Sequence, residues 1–225
     1  MEIDNIKLEW LGHSAFRITD NKSGKILYID PFQIAHENTK ADIILITHDH
    51  YDHCSLADME KIARDGTIVL CTADCQSIIT KINKKIEMQI IEPESEINLV
   101  NFKIKAIPSY NVNKEIHKKA EGWVGFIIQS NGVSIYHAGD TDMIKEMEKL
   151  TGYNKEGNKL VALLPVSGKF TMDAEEAANA AILIKPYIAI PMHYGSVLGL
   201  EKDAQLFIKI CHENGINAHI LEKSK

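Results

Sequence analysis

The chain lacks most of what would mark it as exported, membrane-embedded or nucleic-acid-binding. It has only four cysteines (Cys54, Cys71, Cys75 and Cys211), none in C-x-x-C or zinc-ribbon spacing. Reduced core or surface thiols are therefore expected, and the compartment expected is the cytoplasm. No apolar run approaches membrane length, since "LVALLPV" at 160–166 is far too short to cross a bilayer. The start, "MEIDNIKLEW", has no basic segment followed by an apolar one, so no export signal is expected. Basic charge is in deficit too. A net charge of −6 argues against broad attraction to nucleic-acid backbones, leaving a small molecule as the expected partner.

What is present suits a globular α/β protein. With 225 residues, 45% hydrophobic and 25% charged, the chain can bury a sizeable core, and one domain over 1–225 is expected. In "IKLEWLG", Ile6, Leu8 and Trp10 alternate with Lys7 and Glu9 as in a half-buried strand. "AFRIT" and "KILYID" flank the turn residues "DNKSG", and "DIILIT" (42–47) is an apolar run of strand length. Ser55 can cap a helix with Leu56, Met59 and Ile62 on one face, before the strands "TIVLC" and "NFKIKAI".

The second half follows the same plan. "WVGFIIQS" and "VSIYHAG" flank Asn131-Gly132, a strong hairpin signal. Met143, Met147 and Leu150 form a helical stripe, and "LVALLP" reads as a buried strand. Asp173 with Glu176 can form a capping box for a helix whose Ala174, Ala177, Ala178, Ala181 and Ile182 share a face. "YIAIPM" is a further strand, and Ala204, Phe207, Ile208 and Cys211 mark a last helix. "AFRITDNKSGKILYIDPF" and "GFIIQSNGVSIYHAGDT" also rhyme: strand, turn, strand, then an Asp shortly after a Tyr. Two similar β-then-α halves imply two sheets face to face with helices outside, a four-layer αββα sandwich of the α/β class.

Chemistry concentrates in "ITHDHYDHCS" (46–55), directly after an apolar strand. Residues two apart on an extended segment point the same way, so His48 and His50 can reach one metal ion. After the turn, Asp52 and His53 can face a second ion. The plain alternative for a histidine-rich turn is a solvated loop or helix cap, which suits an isolated histidine better than H-x-H-x-D-H.

That segment resembles the signature of the metallo-β-lactamase superfamily, whose fold is the αββα sandwich. "YHAGDTD" (136–142) looks like its Gly-Asp-Thr turn, and "IPMHYGS" (190–196) like its late histidine. "WLGHSAF" and "LLPVSGKFTMDAEEAA" resemble one branch, small metal-dependent hydrolases related to the ascorbate-6-phosphate lactonases. The resemblance implies that His48 and His50 bind a first metal, and that Asp52, His53 and His193 bind a second. It also implies that Asp140 bridges the pair. The third ligand of the first metal would be His117, in "NKEIHKKAEGWVGF", with His137 as competitor. The donors are nitrogen and oxygen, which suit Zn²⁺ by default and equally Mn²⁺ or Fe²⁺.

Two such ions imply a hydrolase that uses a metal-bridging hydroxide on a small ester, lactone or phosphodiester, with Asp52 and Asp140 as catalytic residues. Lys114, Lys118, Lys119 and Lys169 hint at an anionic substrate; a solvated charge run is their plainer meaning. His137 and Tyr194 could donate a proton, or simply pack beside the ligands. His13 reads as a turn stabiliser as readily as a site residue, Cys54 as a small core residue, and His36, His212 and His219 as ordinary histidines. The alternatives are a ribonuclease Z-like nuclease, which the charge and the lack of a basic arm disfavour, and a non-catalytic metal-binding protein. Diiron redox chemistry is opposed by His50, where those proteins carry a carboxylate. β-Lactamase activity is opposed by the missing export signal.

Overall fold

A computed structural model describes residues 1–35, 39–99 and 101–224. The first sheet opens as an antiparallel meander of β1 (Glu2–Ile3), β2 (Ile6–Gly12), β3 (Ala15–Asp20) and β4 (Lys25–Ile29). β5 (Ile43–Ile46) then joins parallel to β4. Beyond α1 (Leu56–Ile62), the strand β6 (Ile68–Cys71), α2 (Gln76–Ile79) and β7 (Glu87–Ile90) extend the parallel part.

The second sheet repeats this change of mode. β8 (Glu96–Asn98), β9 (Lys103–Pro108), β10 (Val124–Ser130) and β11 (Val133–His137) run antiparallel. β12 (Lys159–Pro165) joins parallel to β11 and, after α3 (Ala174–Ile184), β13 (Ile188–Met192) joins parallel to β12. α4 (Glu201–Glu213) follows. The strand orders are β1 to β7 in sequence, and β13-β12-β11-β10-β9-β8. Two mixed sheets flanked by helices form the expected α/β architecture.

Strand alternation assigns each residue to a layer. Leu27, Ile29, Ile43 and Leu45 enter the core shared with the second sheet, among Phe126, Ile135 and Leu163. Their neighbours Tyr28, Ile44 and Ile46 face the other way and pack with Met59 and Ile62 of α1. Both faces of β4 and β5 are thus covered, which is why these strands read as continuous apolar runs. Phe126 is fully buried between the sheets, so Phe126→Ala should cost about 3–5 kcal/mol.

Caps match the sequence signals. Ser55 Oγ accepts from the Asp58 N–H at 3.3 Å to open α1. Asp173 Oδ1 accepts from the Glu176 N–H at 2.8 Å while Glu176 Oε2 accepts from the Asp173 N–H at 3.1 Å, completing the capping box of α3. Each such cap contributes about 1 kcal/mol.

Two local expectations are corrected. The polar face of β2 is not wet, because Glu9 is buried and holds both Arg17 Nε and Nη2 at 2.8 Å. The methionine stripe is a 3₁₀ helix over Lys145–Tyr153, whose three-residue turn sets Met147 and Leu150 on one buried side. Met143 precedes it and is 37% exposed. All four cysteines are free and buried, none at the surface, and burial raises the thiols of Cys71 and Cys211 to about 12. His36 lies outside the described residues. Among those residues, no helix is long and apolar enough to cross a membrane.

Candidate metal centre

Side chains converge where the parallel strands end. Asp30 follows β4, the 47–55 loop follows β5, Asp140 follows β11, and His193 follows β13. His117 enters from the loop between β9 and β10, and His13 from the β2–β3 turn. Two sets of donor atoms result. His48, His50, His117 and Asp140 form one, and His13, Asp52, His53 and His193 form the other, with the donors of each set within 4.8 Å of one another. Asp140 stands between the sets: its Oδ1 lies 3.3 Å from His53 Nε2, and its Oδ2 lies 3.2 Å from His193 Nε2 and 3.9 Å from His117 Nε2.

The backbone is shaped for this convergence. His13, Asp30, His117 and His193 all have positive φ (53°, 43°, 57° and 61°), a conformation that non-glycine residues rarely adopt. Such strain persists where the surroundings fix it, characteristically at functional sites. Gly139 has φ 67°, and a Cβ there would meet Val124 O at 2.9 Å. Only glycine therefore turns the chain after β11 and delivers Asp140 to the centre.

Hydrogen bonds fix one nitrogen of key rings and leave the other facing inward. Asp30 Oδ2 accepts from the Thr47 hydroxyl at 2.7 Å and lies 2.8 Å from His53 Nδ1, while its Oδ1 accepts from the Thr47 N–H at 2.9 Å. With its proton directed at Asp30, the Thr47 hydroxyl accepts from His48 Nδ1–H at 2.9 Å. These contacts assign Nδ1–H tautomers to His48 and His53. Their Nε2 atoms, like both nitrogens of His193 and Oδ1 of Asp140, are buried without a hydrogen-bond partner among the described residues. Each orphaned polar atom costs about 1–3 kcal/mol when nothing satisfies it. A carboxylate behind an imidazole whose far nitrogen is free is the arrangement that orients metal-binding histidines. The donor set therefore fits divalent cations.

Electrostatics favours neutral donors at His48 and His117. Burial holds His48 well below the ordinary imidazole range and lowers His117 to about 4, so both rings are neutral donors near pH 7. Burial also opposes charge on His53 and Asp140. It is outweighed, because the carboxylates of Asp140 and Asp30 raise His53 well above its usual value, and His193 and His53 hold Asp140 well below its own.

The other residues singled out in the sequence fall as follows. His137 is fully buried away from both sets, with Nε2–H donating to Ser14 O at 2.9 Å and Nδ1 accepting from the Gly139 N–H at 3.3 Å. It braces the turn that carries His13. Tyr194 stacks on Trp10 at 4.9 Å and is not among the residues lining the cleft, so neither side chain is placed to act as a proton donor. The basic residues are engaged elsewhere: Lys114 pairs with Asp142, Lys118 with Glu115 at 3.2 Å, and Lys119 with Glu146 at 2.8 Å. Lys169 lies over the Phe170 ring at 4.8 Å. His212 bonds the Ala218 carbonyl at 3.0 Å, far along the fold, and His219 contacts the same oxygen.

Two contributors, Asp30 and Trp123, escaped sequence reasoning, and the role of a third, His13, was left open between turn and site. His13 does stabilise its turn, since its carbonyl accepts from Trp10 Nε1 and from the His193 N–H, but its ring also bonds Asp52 Oδ2 at 2.9 Å inside the second set. Asp30 was signalled only by the rhyme between the halves. Trp123 packs against His48, His50 and His117 at 4.6, 4.8 and 5.2 Å, with no motif to announce it.

Comparison with known proteins follows this geometry. Residues 7–193 match the profile of the beta-lactamase superfamily domain. A UPF0173 metal-dependent hydrolase from Methanosphaera stadtmanae is 36% identical over 220 residues, spanning 91% of this chain and 90% of that protein. A solved structure from Parabacteroides distasonis superposes with a TM-score of 0.81 at 26% identity, over 97% of this chain and 94% of the other. A second, described as a novel metallo hydrolase from the hyperthermophilic archaeon Ignicoccus hospitalis, gives a TM-score of 0.75 at 25% identity, over 98% and 96%.

Proposed function

Because the chain belongs to the metallo-β-lactamase superfamily, among its UPF0173 metal-dependent hydrolases, we propose that it hydrolyses a small ester, lactone or phosphodiester at a centre of two divalent cations. Zinc is the default ion, with manganese and iron compatible with the same donors. Lactones enter through the likeness of "WLGHSAF" and "LLPVSGKFTMDAEEAA" to the ascorbate-6-phosphate lactonases. Residues 1–225 are taken as one hydrolase domain, a reading supported by donors arriving from both sheets.

His48, His50 and His117 would hold one ion, Asp52, His53 and His193 the other, and Asp140 both. Bound divalent ions supply Lewis acidity toward a carbonyl or phosphoryl oxygen and acidify water. The protein's task is to present its donors in the right protonation state. Asp30 does this for His53 directly and for His48 through Thr47. His13 donates to Asp52 Oδ2 and so fixes that carboxylate's orientation, with the same oxygen 4.0 Å from His53 Nε2. Glycine at 139 places Asp140 where its two oxygens face different rings.

The observation that carries this reading is the pairing of a fixed Nδ1 with a free, buried Nε2 on both His48 and His53. It is tested by elemental analysis of protein purified without chelator, followed by assays on a phosphodiester, a lactone and a thioester. Two ions per chain and metal-dependent turnover of at least one substrate are expected. Failure to retain any transition metal, even after reconstitution, would sink it.

A further inference from the structure

The centre opens into a cleft of about 220 Å³, below the roughly 300–1,000 Å³ typical of sites for drug-sized ligands. Apart from the site's own histidines and aspartates, its lining is Tyr51, Ile116, Phe170, Val197 and Leu198. No lysine or arginine is among the described residues that line it. Tyr51 is 66% exposed at the rim, where its ring meets the edge of Phe32 at 5.9 Å. Outside the donor residues the lining is thus apolar apart from the Tyr51 hydroxyl, and burying apolar groups against such a wall is favourable.

The distribution of positive charge points the same way. Lys114 is locked between Asp142 and the Thr171 carbonyl, and Lys119 between Glu146 and the Tyr110 hydroxyl. The Lys169 ammonium is occupied with the face of Phe170, and Phe170 itself forms the wall. A phosphate or carboxylate on the part of the substrate remote from the scissile bond would find no lysine or arginine among the described residues lining this cleft, since the exposed Lys118 and Lys169 follow or precede lining residues in sequence but stand outside the lining. Desolvating an unpaired charge is strongly unfavourable, whereas each buried methylene is favourable.

Resting on the hydrolase reading above, we infer that the substrate is a small ester or lactone bearing an uncharged, apolar substituent, received by Tyr51, Ile116, Phe170, Val197 and Leu198. Any negative charge the substrate carries must lie at the reacting group itself. This reverses the anionic substituent that the lysine-rich sequence around His117 suggested.

The test compares two esters of nearly equal size, p-nitrophenyl butyrate and p-nitrophenyl hemisuccinate, on the metal-reconstituted full chain. We expect kcat/KM to favour the butyrate by about 100-fold. Leu198→Lys, at a half-buried rim position, should lower the butyrate rate, raise the hemisuccinate rate and leave metal content unchanged. Equal or better turnover of the hemisuccinate by the unmodified chain would overturn the inference. A binding arm separates this from the hydrolase reading: butyrohydroxamate and succinyl monohydroxamate are titrated into the metal-loaded protein by calorimetry. Both chelate through the same head group and differ only in the tail, so the butyryl compound should bind about tenfold more tightly. If neither ester is cleaved but the butyryl hydroxamate is preferred, the ester reading falls and the apolar selectivity stands. Preference for the succinyl compound, or binding of neither, removes the inference.

Discussion

Asp30 and Asp140 flank one imidazole from opposite sides: His53 Nδ1 lies 2.8 Å from Asp30 Oδ2, and its Nε2 lies 3.3 Å from Asp140 Oδ1. The two aspartates occupy matching places, each just past the second strand of a hairpin, β4 in one half and β11 in the other. Each sheet turns from antiparallel to parallel at that strand. The repeat in the fold therefore places one carboxylate behind the histidine cluster and one in front of it.

Asp30 is predicted to govern metal affinity without being a ligand. Asp30→Asn retains the side-chain shape but weakens acceptance from Thr47 and His53, so affinity should fall by about 10- to 100-fold. Calorimetric titration of the metal-free variant measures this. Unchanged affinity would mean that the ring needs no support from behind.

Asp140→Asn should lower metal stoichiometry and collapse hydrolysis while the fold survives. The substitution removes the negative charge that faces His53, His117 and His193 and would hold two cations together. Near-normal turnover on any verified substrate would place the bridge elsewhere.

His117 and His137 should separate cleanly. His117→Ala removes a donor from the first set, and one ion should be lost at little cost to folding. His137→Ala leaves the Ser14 carbonyl and the Gly139 N–H unpaired in the core, which should cost about 1–3 kcal/mol of stability and leave stoichiometry intact. Elemental analysis and urea denaturation of both variants decide the matter. The opposite pattern would exchange the two roles.

Acid should destabilise the metal-free protein. Burial lowers His13, His48, His117 and His137, with His117 reaching about 4. An unfolded imidazole titrates near 6.5, so between about 6.5 and 4 the unfolded chain binds more protons and stability falls as pH falls. His53 acts oppositely: its stabilising share is complete below 6.5 and is lost only as pH rises through its raised value. Below 6.5 His53 is protonated in both states and adds no slope, so the four lowered rings set the trend. The urea midpoint should drop steadily from about pH 6.5 toward pH 4, and a flat profile would contradict these shifts.

Much of this was legible because local chemistry and global fold coincide. Strands such as 43–46 are buried on both faces and read as continuous apolar runs, and the Asp173–Glu176 box needs only neighbours in sequence. The histidine cluster was legible for the same reason, being one loop. The edge strands β7 and β8 were not, since "EMQI" and "EIN" each half-bury only one apolar side chain, Met88 and Ile97. The role of Trp123 and the partner of His13 were illegible because what matters is who sits across the space from them. Nothing in "LGHS" specifies Asp52, thirty-nine residues on. The lysines' ion pairs were illegible for a related reason: their partners, Asp142 and Glu146, lie beyond the intervening hairpin.

Trp123 yields the last prediction. Its ring packs against three imidazoles of the first set, and its Nε1–H donates to the Asp74 carboxylate in the turn after β6. The indole is thus a wedge anchored at one end to the first sheet and pressed at the other against His48, His50 and His117. Because it is a rigid, buried wall, it limits how far those rings can swing when no ion holds them. Trp123→Phe keeps an aromatic face but loses the anchor, so affinity for the first ion should drop by about tenfold while the second set, which Trp123 does not touch, is unaffected. The chain has only two tryptophans, so a Trp10→Phe background makes Trp123 the sole indole reporter. In that background, metal titration should change the emission in step with filling of the first set, and Asp74→Asn should shift the starting spectrum by removing the carboxylate from the indole N–H. Emission insensitive to metal, together with wild-type affinity in Trp123→Phe, would reduce the residue to ordinary core packing.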